Sequence, residues 1–195
     1  SFQTVLRTGY RLKERAVNLN NQASLALGSK APLIDEAYTQ WYFETAPYTF
    51  LTFNLDGRYG DIADAQNMLL GGMLELKPRL IFVLGRARIM LSHTYRDYQY
   101  DGSELYRENF STLQLAYHPR KHHFFRLLAL YDKTDRDAGR FRAEELPMEK
   151  EGTFEATYLY KPSTGLSVLA GLKIKQEDDS LPDDGFTSGR QVYLK

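Results

Sequence analysis

The chain has 195 residues, and its 25 Lys+Arg exactly balance 25 Asp+Glu, which argues against a nucleic-acid binder with its basic excess on one face. It contains no cysteine, so a disulfide framework and a thiolate metal site are both excluded. No run of 18 apolar residues occurs, so no transmembrane helix is expected.

Fourteen Tyr and eleven Phe against a single Trp lean the composition towards strands and away from disorder. The length suits one domain over 1–195. No signal peptide is visible at Ser1, so the numbering is expected to start in a mature chain or in a piece of one.

Period two dominates the pattern. Alternation predicts eleven strands, eleven to twelve allowing for a miscount, over roughly 2–13, 17–28, 37–46, 48–60, 65–77, 79–98, 108–118, 122–133, 152–161, 165–176 and 187–195. In 80–91, Ile81, Val83, Gly85, Ala87, Ile89 and Leu91 oppose a face carrying Arg86 and Arg88. In 153–160, Phe154, Ala156, Tyr158 and Tyr160 oppose Thr153, Glu155 and Thr157. In 166–175, Leu166, Val168, Ala170, Leu172 and Ile174 oppose Ser167, Gly171, Lys173 and Lys175.

The connections alternate in expected length. Tight turns are expected at Glu14–Ala16, Ala46–Pro47, Lys77-Pro78-Arg79, Pro119–Lys121 and Pro162–Thr164, since proline cannot donate to a ladder and belongs at strand ends. Long connections are expected at Ser29–Glu36, Asp61–Asp64, Gln99–Arg107, Lys133–Glu151 and Glu177–Phe186. The predicted fold class is all-β: an antiparallel up-and-down transmembrane β-barrel with short periplasmic turns and longer outer loops.

Three features turn the apolar face outward. It carries no charge away from strand ends, whereas the opposite face holds Arg7, Arg11, Lys13, Arg58, Arg86, Arg88, Arg96, Arg126, Lys173 and Lys175, with Glu44, Asp56, Glu75, Asp132 and Glu155. The apolar face gathers aromatics near strand ends (Phe2, Tyr10, Tyr59, Tyr95, Tyr117, Phe125, Tyr131, Phe154, Tyr160), as an interfacial girdle would. Short turns on one side and long loops on the other fit outer-membrane insertion.

The segment T-F-E-A-T-Y-L-Y-K-P-S-T-G-L-S-V-L-A-G-L-K-I-K resembles a strand–turn–strand unit of bacterial outer-membrane β-barrel proteins of the porin-like kind, with K-P-S-T-G as the periplasmic turn. The resemblance covers the whole chain as an architecture. More loosely, H-T-Y-R-D-Y-Q-Y-D-G and Y-D-K-T-D-R-D resemble the loops of large conduit barrels that sheathe multihaem cytochromes. An odd strand count, a non-aromatic end at Tyr193-Leu194-Lys195 and a first strand starting on the outer side depart from the single-chain pattern. All three fit a segment of a larger barrel.

Other chemistry is sparse. His118-Pro119-Arg120-Lys121-His122-His123 gathers three histidines without a carboxylate, a poor metal site. The loop Gln176–Gly185 holds five carboxylates but lacks the spacing of a calcium loop. Ser92 and His93 are neighbours on a strand and face opposite ways, which prevents a nucleophile–base pair. Gly71-Gly72 sits mid-strand with no helix after it, unlike a phosphate loop.

The expected function is therefore non-enzymatic: a passive pore, export channel or conduit in the outer membrane of a Gram-negative bacterium, without cofactor or metal. Expected pore-lining residues are Arg58, Glu75, Arg86, Arg88, Arg126, Glu155, Lys173 and Lys175. The inward count of ten basic to five acidic side chains suggests an anion-biased lumen. Expected partners are outer-membrane lipid, a small anionic solute or polymer, and a plug or periplasmic protein. The alternatives are a soluble β-barrel binding a hydrophobic ligand, and an outer-membrane enzyme or adhesin acting through its outer loops.

Overall fold

The computed structural model describes residues 3–17, 33–64, 67, 69–137, 139–140, 148–163, 166–179 and 187–194. They form ten strands: β1 (Gln3–Val17), β2 (Leu33–Tyr48), β3 (Leu51–Asp64), β4 (Leu69–Leu84), β5 (Ala87–Tyr100), β6 (Ser103–Arg120), β7 (His123–Arg136), β8 (Met148–Ser163), β9 (Leu166–Asp179) and β10 (Thr187–Leu194). All ten join one sheet in sequence order, each antiparallel to its neighbours. The architecture is an up-and-down meander, all-β as expected.

Among the described residues ten strands are seen where eleven or twelve were expected, and residues 18–28 of the expected second strand lie outside them. One correction concerns closure: the sheet is open. Among the described residues β1 and β10 each pair on one side only, so no closed barrel is present.

Strand boundaries moved because proline and short turns were misread. Lys77-Pro78-Arg79 lies inside β4, where Pro78 faces Leu55 of β3 in unbroken register. On the other side the β4–β5 ladder passes from Leu76–Tyr95 to Arg79–Ser92 without pairing Lys77 and Pro78. A proline is tolerated where its missing N–H meets such a break. The actual turn is Gly85-Arg86, with Gly85 at φ 59°. Likewise Glu14–Ala16, Ala46–Pro47 and Asp61–Asp64 are strand, and Pro119 and Pro162 lie within β6 and β8. The expected long connection Gln99–Arg107 is almost all strand around a two-residue turn at Asp101-Gly102. Both residues have positive φ (52° and 71°), the conformation of a type I′ hairpin turn.

Residue 3 of β1 faces Ala46 near the tight-turn end of β2, so β1 begins at the tight-turn end and not on the opposite side as expected.

The stagger is regular. One register row runs Leu51–Phe82–Ile89–Leu115–Leu127–Ala156–Leu172–Val192. Leu51, Ile89, Leu127 and Leu172 are the first, third, fifth and seventh residues of β3, β5, β7 and β9. The row therefore climbs one residue per strand. With about 3.3 Å per residue and about 4.8 Å between strands, this corresponds to a strand tilt of about 35°. The hairpins thus set a uniform inclination of the strands across the sheet.

Candidate functional site: a charged face backed by an apolar one

Register assigns every strand residue to one of two faces, because cross-strand partners point the same way. The buried side chains Tyr38, Ile62, Leu69, Met73, Glu75, Tyr98, Thr112, Thr134 and Thr153 all fall on one face, the polar one. The opposite face displays Tyr59, Leu70, Leu84, Leu91, Leu113, Tyr117, Phe125, Leu127, Tyr131, Phe154, Val168 and Val192, all exposed. The polar face is the sheltered one. That inverts the usual order of a soluble sheet.

The polar face is built round Glu75, 3% exposed. Its carboxylate accepts Arg58 at 2.9 Å, Lys77 at 2.9 Å and Arg96 at 2.8 Å. Arg96 reaches on to Glu108 at 2.5 Å. The register explains the hub: Arg58 faces Glu75, Glu75 faces Arg96, and Arg96 faces Glu108 across four strands. Charge-assisted bonds at these distances satisfy a carboxylate that would be costly to bury alone.

Of the expected pore-lining residues, Arg58 and Glu75 meet in this hub. Glu155 and Lys173 are cross-strand partners by register. Lys175 pairs with Glu151 at 3.3 Å and with Glu177. Arg88 and Arg126 lie on the same face near the tight turns, both exposed. Arg86 does not join them. It sits in the Gly85-Arg86 turn, and its guanidinium donates to the Pro119 carbonyl, so it is a turn residue and not a mid-strand neighbour of Arg88.

The expected basic surplus also needs correcting. The side chains of Arg7, Arg11 and Lys13 lie outside those described. Lys77, Arg79 and Arg136 join the polar face, but so do Glu36, Asp64, Glu108, Glu149, Glu151 and Glu177. The carboxylates concentrate towards the long-loop end. There Glu108, Asp132, Glu149 and Glu151 line a cavity of about 270 Å³ with Arg136, which is 3.3 Å from Glu149. Glu149 was missed because the strand expected over 152–161 starts too late, and Glu108 was left out of the inward set although it opens the strand expected over 108–118.

At the same end Tyr38, Ile62, Leu69, Met73, Tyr98 and Leu105 form a small apolar cluster. The Tyr98 hydroxyl donates to the Ile62 and Leu69 carbonyls at 2.8 and 3.1 Å, and its ring stacks on Tyr106 at 5.1 Å. Gly71 is required here, since a Cβ would lie 2.3 Å from the Gln99 carbonyl oxygen.

The other expected constellations disperse. His122 contacts the Lys161 carbonyl at 2.8 Å, His123 contacts the Tyr158 hydroxyl at 2.7 Å, and the His118 ring packs on Phe124. Among the described residues no group of His, Cys, Asp and Glu is arranged to hold a metal. His93 avoids Ser92 as expected, but register brings it to Ser111, 2.9 Å away on the apolar face. That pair was invisible in sequence because it needs the β5–β6 register. Residues 180–186 of the acidic loop lie outside the described residues.

The apolar face has measurable edges. Tyr59, Tyr95 and Tyr131 are each the ninth residue of β3, β5 and β7, and the eleventh residues are Asp61, Asp97 and Lys133. The apolar band thus spans eight residue steps from the strand starts, about 26 Å along the strand and about 22 Å upright at a 35° tilt. At the tight-turn edge, aromatic clusters join Phe43 with Phe53, Tyr48 with Phe50, and Phe125 with Tyr158.

Comparison of the chain with protein-family models, curated proteins and solved structures finds no match.

Proposed function

We propose that this chain is wall of an outer-membrane β-barrel that acts as a passive pore or conduit, the apolar face meeting lipid and the polar face meeting water. The observation that carries the reading is the exposed apolar band, about 22 Å tall and ending at Tyr59, Tyr95 and Tyr131. An outer-membrane barrel presents an outward apolar band of about 25 Å between aromatic girdles. The one-residue stagger supports the same reading, because closure requires strand tilt. Open sheet edges do not persist in hydrocarbon, so closure comes from pairing β1 with β10 or from further strands. Passive conduction, and not chemistry, fits a polar face whose charges are largely paired with one another.

Flotation with lipid vesicles tests this reading. The protein is expected to require detergent for solubility, to float with vesicles through alkaline and high-salt washes, and to conduct ions in a planar bilayer. Monodisperse behaviour without detergent would favour a soluble barrel binding a hydrophobic ligand.

A further inference from the structure

The polar face is not uniform along its length. Its long-loop half is rich in carboxylates, whereas its tight-turn half holds arginines that the internal ion pairs leave unused. One register row there reads Val83–Arg88–Ala116–Arg126–Thr157. Arg88 and Arg126 therefore stand on the same face, separated only by the strand that carries Ala116. Two strand spacings put their backbones about 10 Å apart. Both are exposed, and among the described residues neither guanidinium has an ion-pair or hydrogen-bond partner. Arg58 and Arg96, by contrast, are held on Glu75.

The row supplies no carboxylate to neutralise them. The nearest on that face, Glu155, is diagonal to Arg126 and accepts a hydrogen bond from the Thr157 hydroxyl at 3.1 Å. The methyl group of Ala116 leaves the space between the two arginines open. Arginine side chains are long enough to converge across that gap, and their forked donors match tetrahedral oxyanions. Lys121 in the neighbouring turn, with Arg120 and Lys161 near the ends of β6 and β8, adds positive charge.

We propose that Arg88 and Arg126 form an anion-binding site on the polar face that holds a phosphate group, free or carried by a larger solute, above Ala116. The proposal rests on the reading of that face as a lumen and names the class of solute it engages. The site lies in the tight-turn half, so the anion approaches from that end, while the carboxylates round Glu149 and Glu151 disfavour approach from the other. Salt weakens the attraction, because both guanidiniums are exposed.

The test is calorimetric titration of inorganic phosphate into the detergent-solubilised protein at low salt, with circular dichroism as the check on fold. Saturable binding is expected, and Arg88→Gln with Arg126→Gln should weaken it by about tenfold or more. Arg86→Gln, whose side chain is engaged on Pro119, should leave it unchanged. Binding that survives the double substitution overturns the proposal, as does no binding by folded wild-type protein. Conductance is measured separately: a protein that binds phosphate at these arginines but forms no pore removes the pore reading and leaves the site standing.

Discussion

The two faces of one sheet solve opposite problems. On the apolar face, Leu91, Leu113 and Leu127 lie in the open and make few polar demands. On the polar face, Glu75 is sheltered and three cations converge on it. Both faces come from the same strands, so the difference cannot arise from backbone structure; it arises from which parity of residue each hairpin assigns to each side. The face that is ordinarily hidden is displayed, and the face that ordinarily meets solvent holds the buried side chains. Stability should accordingly depend on hydrocarbon-like surroundings for one face and on pairwise charge matching for the other.

The sharpest way to break this contrast is to put a charge on the displayed face. Leu91 is the fifth residue of β5, midway between the strand start and Tyr95. Leu91→Arg is expected to cost roughly 2–4 kcal/mol for the protein in lipid, read as a lowered urea midpoint. Gln114→Arg, on the polar face of β6, should be tolerated. Equal costs at the two positions would erase the distinction.

Removing the hub acts from the other side. Glu75→Ala leaves Arg58, Lys77 and Arg96 without their shared carboxylate. The loss is expected to be about 2 kcal/mol, below the usual cost of breaking a buried pair because the three cations are partly exposed. Glu75→Gln should lose slightly less. A midpoint unchanged by either substitution would show that the hub is incidental.

A steric substitution ranks next. Gly71→Ala places a methyl group against the Gln99 carbonyl and the Tyr98 ring, at an expected cost of about 1–2 kcal/mol. Gly72→Ala, next to it, meets nothing within 4 Å and should be nearly silent in the same unfolding assay.

Parity explains what was legible in the sequence. Alternation alone placed Tyr59, Tyr95 and Tyr131 on the apolar face and Arg58, Arg88 and Arg126 on the other, because period two needs no knowledge of partners. Turn positions were less legible. Pro78 reads as a strand end until the interrupted β4–β5 ladder beside it is known, and that error carried Arg86 from its turn into a strand. Asp101-Gly102 carried a usable hairpin signal, obscured by the Asp- and Tyr-rich residues on either side. The Glu75–Arg96–Glu108 chain and the His93–Ser111 contact depend on register, which alternation does not specify.

The smallest expected effect follows from that correction. Arg86→Gln should change stability by no more than about 0.5 kcal/mol, as at an ordinary exposed turn, although its partnership with the Pro119 carbonyl would be lost. A cost comparable to that of Glu75→Ala would return Arg86 to the charge network.

The most direct test of the account is a spin-label scan along β5 of the protein in lipid vesicles. The chain has no cysteine, so single cysteines at 88 to 95 can be labelled one at a time. Collision rates with oxygen, which concentrates in hydrocarbon, and with a water-soluble nickel complex then report what each side chain meets. Labels at Ile89, Leu91 and His93 should favour oxygen, those at Arg88, Met90 and Ser92 should favour nickel, and the two profiles should alternate out of phase up to Tyr95. Alternation of the opposite phase, or high nickel accessibility at every position, would contradict the assignment of the apolar face to lipid.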